Sequence, residues 1–199
     1  PDPTYQFSAS ALSAGSIRQQ FSQETNIAIS LYGITFLREI GARLSVNGDK
    51  PDIGLHEGGY LYLGTEAHRP VFEANNADQM RMGAEVALLD PAALAARFPW
   101  LNTGDLTIGS LGLAGEGWFD GYGLMQAFRK AARAQGVTYL QHRVTGVSRD
   151  DARITGVTLD DGTTLSSGDF INAAGASGAR ALADRDGIQG HARAAAIAT

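Results

Sequence analysis

A chain of 199 residues, 44% hydrophobic and 19% charged, is long enough to bury a sizeable core and has the composition of a globular protein. Its 16 Lys and Arg against 21 Asp and Glu leave a net charge of −5, which argues against nucleic acid or an anionic membrane surface as the main partner. The lack of cysteine excludes a disulfide framework, a thiolate nucleophile and a thiolate metal site, and permits a reducing compartment; with no apolar run of about eighteen residues and no signal peptide, a cytoplasmic protein without a membrane span is expected.

Residues 1–25 are polar and rich in small side chains. Apolar residues Ile27, Leu31, Ile34, Leu37 and Ile40 then recur in steps of three and four, which predicts an amphipathic helix over 26–46. Tyr60-Leu61-Tyr62-Leu63 follows Gly58-Gly59 as a β-type run, 70–83 reads as helical, and Val86 to Leu89 as a short strand. Asp90-Pro91 places a capping carboxylate before a proline at the first helical position, so a helix opens there and stops at Pro99. A strand is expected over 106–114. Asp120 caps a helix over 122–135 that ends with Gly136 just past its C-terminus. Strands are predicted near 137–141, 143–148, 152–159, 163–166 and 169–172, with a helix from about 176. The pattern is α/β with α+β elements, and the less regular stretch 46–120 suits a second lobe inserted between two pieces of one domain. The opening Pro1-Asp2-Pro3, without an initiator Met or apolar first strand, and His191 to Thr199, with neither cap nor amphipathic face, suit an internal fragment of a longer protein.

Two segments carry most of the chemical information. In Gly168 to Ala179 a short apolar strand (Phe170, Ile171) runs into Ala173-Ala174-Gly175-Ala176. Such a side-chain-poor corner before a helix lets a ligand approach the backbone closely and offers N–H groups to anionic oxygen. Tight packing of helix on sheet is the alternative use of that corner. Upstream, Ile154, Val157 and Leu159 flank an Asp161-Gly162 turn, a hairpin signal. A hairpin leading into such a corner is the pattern of flavoprotein dinucleotide domains. The second segment, Ser13-Ala14-Gly15-Ser16-Ile17-Arg18-Gln19-Gln20, joins hydroxyls, a permissive glycine and one forked cation, able to set donors against a flavin ring or phosphates. An ordinary capped loop with Arg18 in a surface ion pair uses the same residues.

Other candidates read as structural. Gly121-Tyr122-Gly123 begins like a phosphate loop, but the third glycine is missing and Asp120 repels phosphate. His56, His68, His142 and His191 lack metal-ligand spacing, and Asp160-Asp161 sits in a turn, so no metal is expected. In Glu116-Gly117-Trp118-Phe119-Asp120, Asp120 reads as a cap and Trp118 as core packing. No Ser-His-Asp set can be assembled, and no catalytic residue is assigned.

Taken in order, Ser10 to Ser22, Phe98 to Thr103, Glu116 to Asp120 and Ile171 to Ala176 resemble the D-amino acid oxidase-like (DAO) family of FAD-dependent oxidoreductases, the group of sarcosine and glycine oxidases. The likeness covers most of 1–185. It implies an incomplete FAD-binding Rossmann-like domain (1–46 and 121–185), part of a mixed-sheet substrate domain (47–120), and an atypical tail over 186–199. The resemblance also implies that the glycine-rich turn and its strand precede Pro1, that further substrate-domain sheet follows, and that this chain alone is incomplete and inactive. It sets Ser13, Ala14, Gly15, Ser16, Ile17, Arg18 and Gln19 along the flavin, Val144 on the adenine side, and Ala173, Ala174 and Gly175 against the nucleotide. The implied cofactor is FAD. The implied reaction is hydride removal from a C–N bond of an amine or amino acid, followed by hydrolysis of the imine. The likeness is to a branch of the family one of whose members is linked to mitochondrial complex I assembly, and a non-catalytic module acting in protein assembly or interaction is the alternative.

Overall fold

Ile27, Ser30, Ile34 and Leu37 fall on one side of a helix because steps of three and four return to the same face. They are the buried residues of α1 (Glu24–Arg38). Ser30 is tolerated there because its hydroxyl donates to the Ile27 carbonyl at 2.9 Å. A short second helix, α2 (Ile40–Arg43), continues the segment, and Leu37, Ile40 and Ile53 form a core cluster with Ile17, Phe36 and Phe119 packed against it.

The computed structural model describes residues 4–151 and 153–174. They fall into two compact units, one spanning Thr4–Gln135 and the other running from Gly136 onward. In the first unit β1 (Ser16–Ile17) pairs antiparallel with β5 (Gly117–Trp118). A separate antiparallel sheet has the order β2 (Leu61–Gly64), β4 (Ile108–Gly112), β3 (Val86–Leu89). Every residue of the central β4 is buried. Along the chain, helices α3 (Arg69–Arg81) and α4 (Pro91–Arg97) lie between β2 and β3 and between β3 and β4. The expected caps form: Asp90 accepts from Ala93 N at 2.8 Å, and Asp120 accepts from Gly123 N at 2.9 Å to open α5 (Gly121–Ala134). The Gly123 donor is thereby used internally, as the structural reading of the Gly121–Gly123 run requires.

In the second unit β6 (Val144–Asp150), β7 (Arg153–Leu159) and β8 (Thr164–Ser166) form an antiparallel meander. The expected turn joins β7 to β8, with Thr163 N donating to Asp161 at 2.9 Å. Two expected strands do not form: 137–141 and 169–172, including Phe170 and Ile171, lie outside strands. Apolar alternation makes a strand only where a neighbour offers a ladder, and among the described residues none pairs with either segment. The helix expected from 176 lies outside the described residues. So does the 186–199 tail. No helix among the described residues is long and apolar enough to cross a membrane.

The end of α1 is tied down by one ion pair. Arg38 makes a two-pronged contact with Glu57, Nε to Oε1 at 2.7 Å and Nη2 to Oε2 at 2.6 Å, and Gly115 N also donates to Glu57 Oε2 at 2.7 Å. The guanidinium hydrogen bond holds the Glu57 carboxyl below the ordinary carboxylate range. Because this pKa falls on folding, the stabilisation is complete above the ordinary glutamate pKa of about 4.3. It drains away as the pH drops from there through the depressed value. Glu57→Gln is expected to cost about 1 kcal/mol or less at neutral pH, since the pair is partly solvated. It is also expected to flatten the fall in unfolding free energy between neutral pH and pH below about 4, read from urea titrations at each pH.

Candidate functional site

The segment 13–20 is shaped by backbone geometry and by a buried carboxylate. Ser13 Oγ accepts from Gly15 N at 3.1 Å. Gly15 adopts φ +60°, and a β-carbon there would overlap the Phe119 carbonyl oxygen, so only glycine fits this close approach. Phe119 N in turn donates to Gly15 O at 2.7 Å. The chain then enters the β1–β5 ladder, with Ser16 opposite Trp118 and Ile17 opposite Gly117. Trp118 is not core packing, as the sequence suggested: it is 52% exposed, and its ring lies 4.2 Å from that of His56. Its position on a two-residue strand leaves one face to solvent.

Arg18 emerges exposed just past β1. Its guanidinium lies 4.7 Å from the Phe21 ring centroid and 5.8 Å from that of Tyr62, and it donates to the Tyr62 hydroxyl. Among the described residues its partners are aromatic, not the carboxylate of a surface ion pair. Ser16, Ile17, Arg18, Phe21, Ile29 and Tyr60 line a groove of about 510 Å³. A second, more apolar cleft of about 340 Å³ shares Ser16, Ile17 and Gly33 with it, and there Phe36 and Phe128 stack at 5.6 Å. Ile29 is 64% exposed, so the apolar wall of the larger groove is not covered by other described residues. An apolar wall with hydroxyls and one guanidinium at its rim suits a flat aromatic ligand bearing acceptor atoms, and the volume suits a small-molecule site.

The expected contact residues divide. Ser16, Ile17 and Arg18 line the groove, whereas Ser13, Ala14, Gly15 and Gln19 do not. Gln19 is buried, its backbone N–H donating to Glu116 Oε1 at 2.6 Å and its amide to Gly115 O at 3.3 Å. In the second unit Val144 is 41% exposed on β6, opposite Leu159. Ala173 and Ala174 are exposed, and Ala174 N donates to Asn172 Oδ1 at 3.0 Å. Gly175 lies outside the described residues. His142 bridges two carboxylates of the β7–β8 turn, with Nδ1 2.9 Å from Asp160 and Nε2 3.6 Å from Asp161. Its hydrogen bond lowers the Asp160 pKa, while that of Asp161 is lowered first by the Thr163 N–H.

Sequence reasoning missed Glu116, which is fully buried. Its Oε1 also accepts from Gln20 N at 3.1 Å, and its Oε2 from Gln20 Nε2 at 2.8 Å. The available signal was a charged residue between two glycines, Gly115-Glu116-Gly117, beside a strand rich in small residues.

A family model described as "FAD dependent oxidoreductase" matches residues 1–199. The protein "FAD-dependent oxidoreductase domain-containing protein 1" of Xenopus laevis is 44% identical over 148 residues, covering 74% of this chain and 30% of that protein. The Bos taurus protein of the same name is 41% identical over 145 residues, 72% of this chain and 30% of its own length. The chain thus spans about 30% of these relatives. Among solved structures, L-proline dehydrogenase from P. horikoshii superposes with a TM-score of 0.78 at 22% identity, covering 92% of this chain and 46% of that one. Glycine oxidase from Geobacillus kaustophilus gives 0.71 at 24% identity, with 90% and 48% covered. These two likenesses show the fold, which is the mixed α/β architecture expected.

Proposed function

Because this chain belongs to the DAO family of FAD-dependent oxidoreductases, we propose that the full-length protein oxidises the C–N bond of an amine or amino acid. FAD, when bound, supplies the hydride acceptor, chemistry that no side chain here provides. The chain's own contribution is binding, orientation and exclusion of water. The observation that supports this reading is the groove beside β1, where exposed Ile29 and half-buried Ile17 make an apolar wall and Ser16 and Arg18 carry donors.

In this reading Ser13, Ala14, Gly15, Ser16, Ile17, Arg18 and Gln19 form the flavin-side segment, Ser16 to Arg18 by contact and the others by fixing the backbone. Val144 is assigned to the adenine side and the exposed Ala173 and Ala174 to the nucleotide, with Gly175, outside the described residues, assigned alongside them. The assignment of 1–46 with 121–185 to the cofactor and 47–120 to the substrate belongs to the same proposal, although the residues 4–135 make one compact unit. A C–N substrate is supported by the structural likeness to proteins titled L-proline dehydrogenase and glycine oxidase. Cytoplasmic residence is proposed alongside, and cell fractionation checks it.

The test is anaerobic mixing of the full-length protein, carrying its flavin, with a panel of secondary amines and amino acids. Bleaching of the flavin absorbance by at least one is expected. A flavin that no member of the panel bleaches would instead favour a non-catalytic module acting in assembly or interaction.

A further inference from the structure

Glu116 is fully buried, and its partners Gln19 and Gln20 lie in the chain between Arg18 and Phe21, which line the groove. Its carboxylate accepts three N–H groups, two from the backbone of Gln19 and Gln20 and one from the Gln20 amide. That amide also donates to Tyr60 O at 3.0 Å, and its oxygen accepts from Ser110 Oγ at 2.6 Å, which anchors the assembly to the central strand β4. The buried Gln79 of α3 donates to Phe21 O at 3.1 Å. Three consecutive residues, Gln19, Gln20 and Phe21, are thus held by buried polar side chains 58 to 97 positions away. The residue just before them is Arg18, whose guanidinium rests on Phe21 and Tyr62.

A fold that needed only to close a loop here would use apolar packing, because a buried carboxylate is costly unless every lone pair has a purpose. What hydrogen bonds add over apolar contact is direction. We propose that Glu116 is a positioning residue: through Gln19 and Gln20 it fixes the backbone that aims Arg18 along the groove. Its consequence for FAD rests on the reading of the preceding subsection; its consequence for Arg18 does not.

The full-length protein, labelled selectively with 13C-arginine, separates the two. The ring currents of Phe21 and Tyr62 displace the Arg18 side-chain signals, which Arg18→Ala identifies by their loss. In Glu116→Gln, an isosteric change that turns one acceptor into a donor facing the Gln20 amide, those signals are expected to move to ordinary arginine values. The dissociation constant for FAD is expected to rise roughly tenfold, in the range of losses seen when a supporting residue behind a ligand is changed. Glu116→Gln is expected to add nothing further in an Arg18→Ala background, since both act on one group. Ser110→Ala, which removes a single O–H from the same network, is expected to shift the signals less and in the same direction, and serves if Glu116→Gln does not fold. Arg18 signals unmoved in folded Glu116→Gln, or additive losses in the double variant, would overturn the positioning role. Signals that move while FAD affinity stays constant in both single variants would uphold it and overturn the groove as the flavin site.

Discussion

Gly112→Ala is expected to lower the free energy of unfolding by about 3 kcal/mol or more, the combined cost of overpacking and of stranded buried donors. Gly112 ends the central strand β4, and a β-carbon there would occupy the space of the Glu116 carboxylate. The structure has two ways to respond, and both are costly. If Glu116 moves, the N–H groups of Gln19 and Gln20 lose their acceptor inside the protein. If β4 moves, the ladders to β2 and β3 shift at their ends, where Val86 pairs with Gly112. Urea unfolding followed by tryptophan fluorescence measures the loss, and a midpoint that falls with unchanged slope assigns it to the folded state. A change under about 0.5 kcal/mol, the range of ordinary surface substitutions, would contradict the packing described for Glu116.

The second large effect is expected at Leu94, the one fully buried residue of α4. Its δ-methyls press on β4 at Gly109, where a built β-carbon would lie 2.7 Å from Cδ2. Leu94→Ala removes that contact and leaves a cavity that a helix held by the Asp90 cap cannot readily close, so a loss of about 3 kcal/mol is expected. Gly109→Ala alone is also expected to be damaging, since the added methyl collides with Leu94. Together the two changes are expected to cost less than their sum, because the methyl then enters the space that Leu94 vacates. Additive losses in the double variant would place the two residues out of contact.

What could be read from the sequence was local. Asp90-Pro91 and Asp120 each announce a helix start through an acceptor three residues before a free N–H, and both caps form as expected. The α1 face was legible from the spacing of Ile27, Ile34 and Leu37, although Ser30 takes the place on that face expected for Leu31, by satisfying its hydroxyl within the helix. The turn at Asp161-Gly162 follows from its own side-chain hydrogen bond. Where the outcome depends on distant partners, local pattern failed. Residues 137–141 and 169–172 have strand-like composition and no ladder to join. Glu116 was given no role of its own because its hydrogen-bond partners lie 96 and 97 positions earlier in the chain.

The site was legible in part for the same reason. That Ser16 and Arg18 carry donors could be read from residue type, and both residues line the groove. The choice of Phe21 and Tyr62 as partners of Arg18 could not, since it depends on β2 meeting the residues that follow β1. Nor could the burial of Gln19, a side chain that composition alone sends to solvent. A groove wall such as Ile29 is equally invisible to periodicity, which assigns it to the outer face of α1 without saying what covers it.

Arg18 is proposed as a donor at the rim of a flavin groove. Titration of FAD into the full-length apoprotein, comparing the parent with Arg18→Ala at matched thermal stability, tests this directly. A dissociation constant raised about tenfold or more, with a changed flavin absorption band, is the expected result for loss of one charge-assisted contact. Equal affinity and identical spectra in the two proteins would contradict it.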